Sequence, residues 1–178
     1  MSSLLNQAEQ YLGNMDQDKL QPLEKTMVRL FHASIAAGRV GNYSCAAAVL
    51  NSQDEILSIG VNGSFHPYPS SISHAEQNAL NEYEKKRSQE KDVYLITTLA
   101  PCLMCTARIL LSNVKKVLYL MDDPAGGGIQ CVKGFPLNYR ELAKRTAFQK
   151  MTLSQSIYEV GKLLYEAGEE IWNQQLNL

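Results

Sequence analysis

Three consecutive segments between Asp92 and Met121 restrict the fold more than anything else in the chain. DVYLITTL (92–99) is apolar and β-branched, the composition of a strand covered on both faces. PCLMCTARILLS (101–112) opens with a proline, which suits the first turn of a helix because its missing N–H is not needed there. VKKVLYLM (114–121) reads as a second strand. Parallel strands need such a crossover between them, so this stretch calls for a sheet with helices packed on it.

The flanking sequence extends the pattern. EKTMVRLFHASIAAGRV (24–40) places Met27, Leu30, Phe31 and Ile35 at helical spacing. SCAAAVL (44–50) and EILSIGV (55–61) are short apolar runs around the turn NSQD, a hairpin signature that makes the sheet mixed. HAEQNALNEYEKKRSQEK (74–91) is helical with a charged end, and Ser73 is read as its N-cap. DDPAGGGIQCVKGFP (122–136) reads as loop, LNYRELAKRT as a short helix, AFQKMTL as a fifth strand and SIYEVGKLLYEAGEEIWNQQL as a final helix. The fold expected is a three-layer α/β/α domain with a mixed sheet of about five strands. Its 178 residues, 45% of them apolar, suit one unit spanning 1–178, with a motif-bearing core at about 27–121 and a C-terminal part at 122–178.

The N-terminus lacks the basic start and apolar core of a signal peptide, and no run of about 18 apolar residues is present, so a cytoplasmic protein without a membrane span is expected. Seventeen basic and eighteen acidic residues leave a formal charge of −1, which offers no global attraction for nucleic acid. Without export, the four cysteines (Cys45, Cys102, Cys105 and Cys131) are read as free, catalytic or metal-bound rather than disulfide-paired.

Two short motifs carry the chemistry. In PCLMC, Cys102 and Cys105 share one face of the first helical turn, and their side chains lean back toward the helix start. Unpaired N–H groups and the helix dipole favour thiolates there, so both thiols are expected to ionise. In SHAE, His74 and Glu76 lie at another helix start. If the two starts point at one place, His74, Cys102 and Cys105 supply three ligands of a tetrahedral zinc and leave a fourth position open, as in a catalytic site. Glu76, not a ligand, then stands beside that position as a proton carrier. Two other readings stay open: a redox-active C-x-x-C pair, and a structural zinc site with Cys131 as fourth ligand. Cys45 is read as a small buried side chain and His32 as a packing or surface residue.

The pair HAE and PCLMC resembles the H-x-E…P-C-x-x-C pattern of zinc deaminases. The chain is similar, from about Met27 to Met121, to the cytidine deaminase superfamily, in the branch holding tRNA adenosine, guanine, cytosine and deoxycytidylate deaminases. The resemblance implies a cytidine deaminase-like fold, one zinc per chain on His74, Cys102 and Cys105, and Glu76 as proton shuttle. It implies substrate contacts from Asn62 in GVNG and from Asp123 in YLMDDP, where Asp122 is a rival. Ala75 within HAE and His66 in SFHPYPSSIS are also taken as substrate contacts, with Phe65 and Tyr68 as alternative stacking residues in that loop. It implies a homodimer.

The chain departs from its branch in two places. Many tRNA adenosine and guanine deaminases carry DPTAHAE and TLEPC, whereas this chain has PSSISHAE and TLAPC, with the less polar Ile72 and Ala100. The expected activity is hydrolytic deamination of a small aminated purine or pyrimidine as base, nucleoside or nucleotide. A tRNA adenosine deaminase is the alternative. A catalytically silent binding subunit of the same fold is a rival of another class, disfavoured by the intact Glu76 and ligand set.

Overall fold

The computed structural model describes residues 3–86 and 92–176. In chain order the elements are α1 (Ser3–Gly13), α2 (Pro22–Arg39), β1 (Ala46–Leu50), β2 (Ile56–Val61), α3 (Ala75–Lys85), β3 (Val93–Leu99), α4 (Leu103–Leu111), β4 (Val114–Met121), α5 (Leu137–Ala143), β5 (Ala147–Lys150) and α6 (Gln155–Leu176). The five strands form one sheet in the order β2-β1-β3-β4-β5. β1 runs antiparallel to both neighbours, while β3, β4 and β5 are parallel, as the alternating second half of the sequence requires.

The period-two alternation of the central strands divides the core between the two faces. Ala46, Ala48 and Leu50 of β1, with Ile96 of β3 and Leu120 of β4, pack against α1, α2 and α6. Ala47, Val49, Leu95 and Val117 face the other way, against Ala79 and Leu80 of α3 and Ile109 of α4. This is the expected three-layer α/β/α arrangement. The final helix belongs to the first face, where Ile157, Val160 and Leu164 are buried with Phe31 and Leu118.

Local chemistry sets the connections. In the β1–β2 turn, Asn51 Oδ1 accepts from the backbone N–H of both Gln53 and Glu55 at 3.0 and 2.9 Å, an Asx turn that allows Asp54 its positive φ of 63°. At Gly60 of β2 a Cβ would lie 2.2 Å from Ala79 N and 2.3 Å from Ala75 O, so only glycine lets α3 rest directly on the strand. The loop 122–136, read from sequence as irregular, contains a short 3₁₀ helix at Ile129–Gly134. Residues 87–91, the end of the expected α3 segment, lie outside the described residues. Among the described residues, no helix is long and apolar enough to cross a membrane.

Candidate active site and metal centre

Two helices start at the same place. His74 is the N-cap of α3, extended at φ −86° and ψ 158°, and Cys102 is the N-cap of α4, extended at φ −66° and ψ 175°. Neither side chain caps its own helix. The expectation that Ser73 caps α3 is therefore corrected: its Oγ accepts instead from Asn78 Nδ2 at 3.0 Å. Pro101 likewise stands before the helix rather than in its first turn. Freed from capping, His74 and Cys102 turn toward each other, and the unpaired N–H groups of both helix starts face the space between them.

Cys105, at the third helical position of α4, completes the group. The donor atoms of His74, Cys102 and Cys105 all lie within 4.8 Å of one another, with Cys102 Sγ 3.5 Å from His74 Nδ1. One imidazole and two thiols match the donor set of a catalytic zinc centre, whose bonds run about 2.0–2.3 Å. The group fits one zinc ion per chain. Cys131 is exposed on the 3₁₀ helix and outside the group, so it is not the fourth ligand that a structural site would need. Cys45 lines the neighbouring cavity, but burial pushes its thiol up to about 12 and keeps it neutral.

The charges in the group are coupled. A hydrogen bond from Cys105 and one from His74 pull the Cys102 thiol down to about 4 against the cost of its burial. His74 is raised by the same contact with Cys102. Cys105 is driven the other way, by its bond to Cys102 and by burial. The two thiols therefore do not both ionise by themselves, because two adjacent buried anions repel. A dication removes that obstacle. Behind the sulfurs, Gln77 Nε2 lies 3.9 Å from Cys105 Sγ, and Arg108 donates to Gln77 Oε1 at 3.2 Å.

Glu76 lies in the first turn of α3 and is only 4% exposed. Burial lifts its carboxyl to about 7, the range in which a group both accepts and returns a proton at neutral pH. It opens onto a cavity of about 320 Å³, at the small end of the range for small-molecule sites.

The cavity brings together Asn62, Ala75 and Asp123 with His74, Glu76 and Cys102. Asn62 is buried. Its Oδ1 accepts from Ser64 N at 3.0 Å, which leaves the amide nitrogen without an acceptor among the described residues. Asp123 Oδ1 accepts from Gly126 N at 2.7 Å, and the loop is fixed to the ligand helix where Gly128 N donates to Pro101 O at 2.8 Å. Asp122, the rival, instead pairs outward with Lys150.

His66 does not line the cavity: it is exposed, and its ring lies over Gly41. Its neighbour Phe65 turns inward against Trp172, with ring centroids 5.6 Å apart. The reason is Asn42, whose Oδ1 accepts from the backbone N–H of both Phe65 and His66 at 2.9 Å and fixes which way the loop faces.

The remaining wall was not anticipated from sequence. Tyr43, Glu169 and Trp172 line the cavity, the last two from α6. Tyr43 OH donates to Glu169 Oε1 at 2.7 Å across 126 residues of chain. A Cβ at Gly168 would lie 2.5 Å from the Tyr43 ring, so glycine is what lets α6 approach. The available signal was the pair Gly168 and Trp172 in AGEEIW, four apart and so on one helix face.

Comparison with known proteins agrees with this geometry. Residues 21–121 match the family described as the cytidine and deoxycytidylate deaminase zinc-binding region. The tRNA-specific adenosine deaminase subunit tad3 of Schizosaccharomyces pombe is 28% identical over 144 residues, 70% of this chain and 45% of that protein. The cytosine deaminase of Candida albicans is 34% identical over 79 residues, 44% of this chain and 52% of that protein. The chain thus spans about half the length of these curated relatives. The structure of a guanine deaminase from Nitrosomonas europaea shares the fold at a TM-score of 0.61 and 20% identity, over 95% of this chain and 94% of that one.

Proposed function

Because the chain belongs to the cytidine and deoxycytidylate deaminase zinc-binding family, we propose that it is a zinc-dependent hydrolytic deaminase of a small aminated purine or pyrimidine. The observation that carries this reading is the buried Glu76 beside the cluster of His74, Cys102 and Cys105, at the floor of a cavity sized for a small molecule.

In this reading His74, Cys102 and Cys105 hold the zinc. When bound, zinc supplies Lewis acidity, which brings the pKa of water from about 15.7 to near 7. Glu76 takes up the proton released as water adds to the amino-bearing ring carbon. It gives that proton to the adjacent ring nitrogen and then carries the proton of the added hydroxyl to the amino group, so ammonia leaves and the carbon keeps the oxygen as a carbonyl beside a ring N–H. The lone nitrogen of Asn62 and the Asp123 carboxylate orient the ring, and the small side chain of Ala75 leaves room for it in the cavity. Trp172, packed against Phe65, supplies a flat side of the pocket.

The lining supports a small uncharged substrate. It contains Glu76, Asp123 and Glu169 and neither lysine nor arginine, which opposes a phosphate group. The relative from S. pombe favours the second reading, deamination of adenosine in tRNA. We read 1–178 as one deaminase unit that acts as a cytoplasmic homodimer in nucleobase metabolism. The exposed Leu103 and Leu111 on α4 support the dimer as apolar surface for a second copy.

The test is ammonia release from the zinc-loaded protein on a panel of aminated bases, nucleosides, nucleotides and an anticodon stem-loop. Turnover of one or more small substrates is expected. Turnover of the stem-loop alone, falling steeply with salt, supports the RNA reading. No turnover anywhere on the panel supports a silent binding subunit.

A further inference from the structure

We propose that Glu169, held by Tyr43, accepts a hydrogen bond from a ring N–H of the substrate and so selects a free base over its N-substituted forms. This rests on the deaminase reading above and specifies its substrate.

Glu169 is a half-buried carboxylate in the cavity lining, which also carries the apolar Trp172, Leu99, Ala100 and Ala125. Withdrawing a carboxylate from water is costly unless its oxygens are bonded. One is: Oε1 accepts from Tyr43 OH at 2.7 Å. Burial and the Glu169 carboxylate itself hold Tyr43 in its protonated form, so Tyr43 remains the donor of this pair. Oε2 has no partner among the described residues, and Glu169 joins no ion pair among them. An acceptor oxygen is therefore left over at the cavity wall.

The approach of α6 is specific to this contact. Gly168 lies against the Tyr43 ring, and Trp172, one turn on, packs against Phe65, whose backbone is bonded to Asn42. Two independent contacts thus position Glu169 from either side along its helix. A carboxylate offers only acceptors, so its complement is an N–H. Free aminated bases carry an N–H at the ring nitrogen that a sugar occupies in the nucleoside. A site built to bond that N–H leaves its own acceptor oxygen unpaired in the occupied cavity when the N–H is missing, and the substituent that replaces it meets that oxygen instead. The acidic lining acts in the same direction against phosphates.

The test compares wild type with Glu169→Gln, zinc-loaded, on cytosine, 1-methylcytosine, cytidine and CMP and on guanine, 9-methylguanine, guanosine and GMP. Glutamine still accepts from Tyr43, so the anchoring of α6 survives while the free oxygen is lost; circular dichroism and zinc content should match wild type. Wild type should favour one free base over its methylated form by roughly 10² in kcat/KM, and the variant should lose at least tenfold on the free base alone. Binding of the same bases is measured by calorimetry in parallel. Unchanged discrimination in the variant overturns the assignment, as does absence of binding by every free base. If the nucleotides or an anticodon stem-loop are turned over instead, the deaminase reading stands and the role of Glu169 falls. If a free base binds with an affinity sensitive to Glu169→Gln but no ammonia is released, Glu169 keeps its role and the deaminase reading falls.

Discussion

His74 and Cys102 occupy the same position on two different helices, the N-cap, and their side chains meet at 3.5 Å. Each helix gives up a side-chain cap, and the two uncapped starts face one point. Losing a cap costs about 1 kcal/mol in an ordinary helix. Here the loss frees one donor atom on each helix to face the other and directs two positive helix ends at the group of His74, Cys102 and Cys105, where Cys102 alone ionises without a dication.

Cys102→Ser, Cys105→Ser and His74→Ala should each lose zinc and, with it, thermal stability, because metal binding and folding are linked. The measurement is metal content by plasma emission together with the melting temperature, with and without chelator. Full zinc in all three variants would remove these residues as ligands.

Glu76→Gln should keep fold and zinc, since the carboxylate stands outside the ligand group, and lose kcat by about 10² or more. The check is steady-state ammonia release beside metal content. Wild-type turnover in this variant is incompatible with Glu76 as the proton carrier.

Glu24 should make the protein sensitive to acid. Burial alone would raise its carboxyl, but hydrogen bonds from Ser154 and from Gln21 N–H outweigh that and leave it below its usual 4.5. Glu24 Oε1 accepts from Ser154 N at 2.8 Å and Oε2 from Gln21 N at 3.0 Å, joining the start of α2 to the approach of α6. The folded value is depressed, so this stabilisation is complete above the unfolded value near 4.5 and disappears as pH falls through the folded one. Urea midpoints from pH 7 to 3 should therefore show a steeper acid loss for wild type than for Glu24→Gln. Parallel curves would show that Glu24 contributes nothing to the pH dependence.

Gly60→Ala should cost stability and zinc together. The added methyl would collide with backbone atoms of α3, at Ala79 N and Ala75 O, rather than with a side chain that can rotate away. A loss of about 1–3 kcal/mol is expected for such overpacking. Because Ala75 adjoins His74, the displacement should also weaken the metal. A zinc competition titration beside urea denaturation checks both, and an unaffected zinc affinity would mean that the helix start does not depend on this contact.

The strands, their mixed order and the two motifs could be read from the chain because each rests on short-range signals. β-branched runs, the turn at Asn51 and the spacing of His74, Glu76, Cys102 and Cys105 involve residues close in sequence or a strongly patterned pair. Ser73 was misplaced as a cap because capping preference ignores a side chain needed elsewhere. That His66 lies outside the cavity was hidden because a loop's composition does not say which way it faces; bonds from its backbone to the distant Asn42 bear on that. Tyr43 and Glu169 stayed invisible for the same reason: their bond spans 126 residues, and nothing in the acidic end of α6 sets Glu169 apart from its neighbours.

The closeness of α6 to Tyr43 also divides the cavity between two layers of the fold. The metal-facing residues are fixed by two helix starts that rest on the sheet's second face, whereas Glu169 and Trp172 arrive on a helix from the first face. Replacements along the pocket side of that helix can alter what the cavity admits without shifting a single ligand. In the proposed reading, the selecting surface and the reacting centre are thus mechanically separate, with Gly168 setting how near the adjustable wall comes.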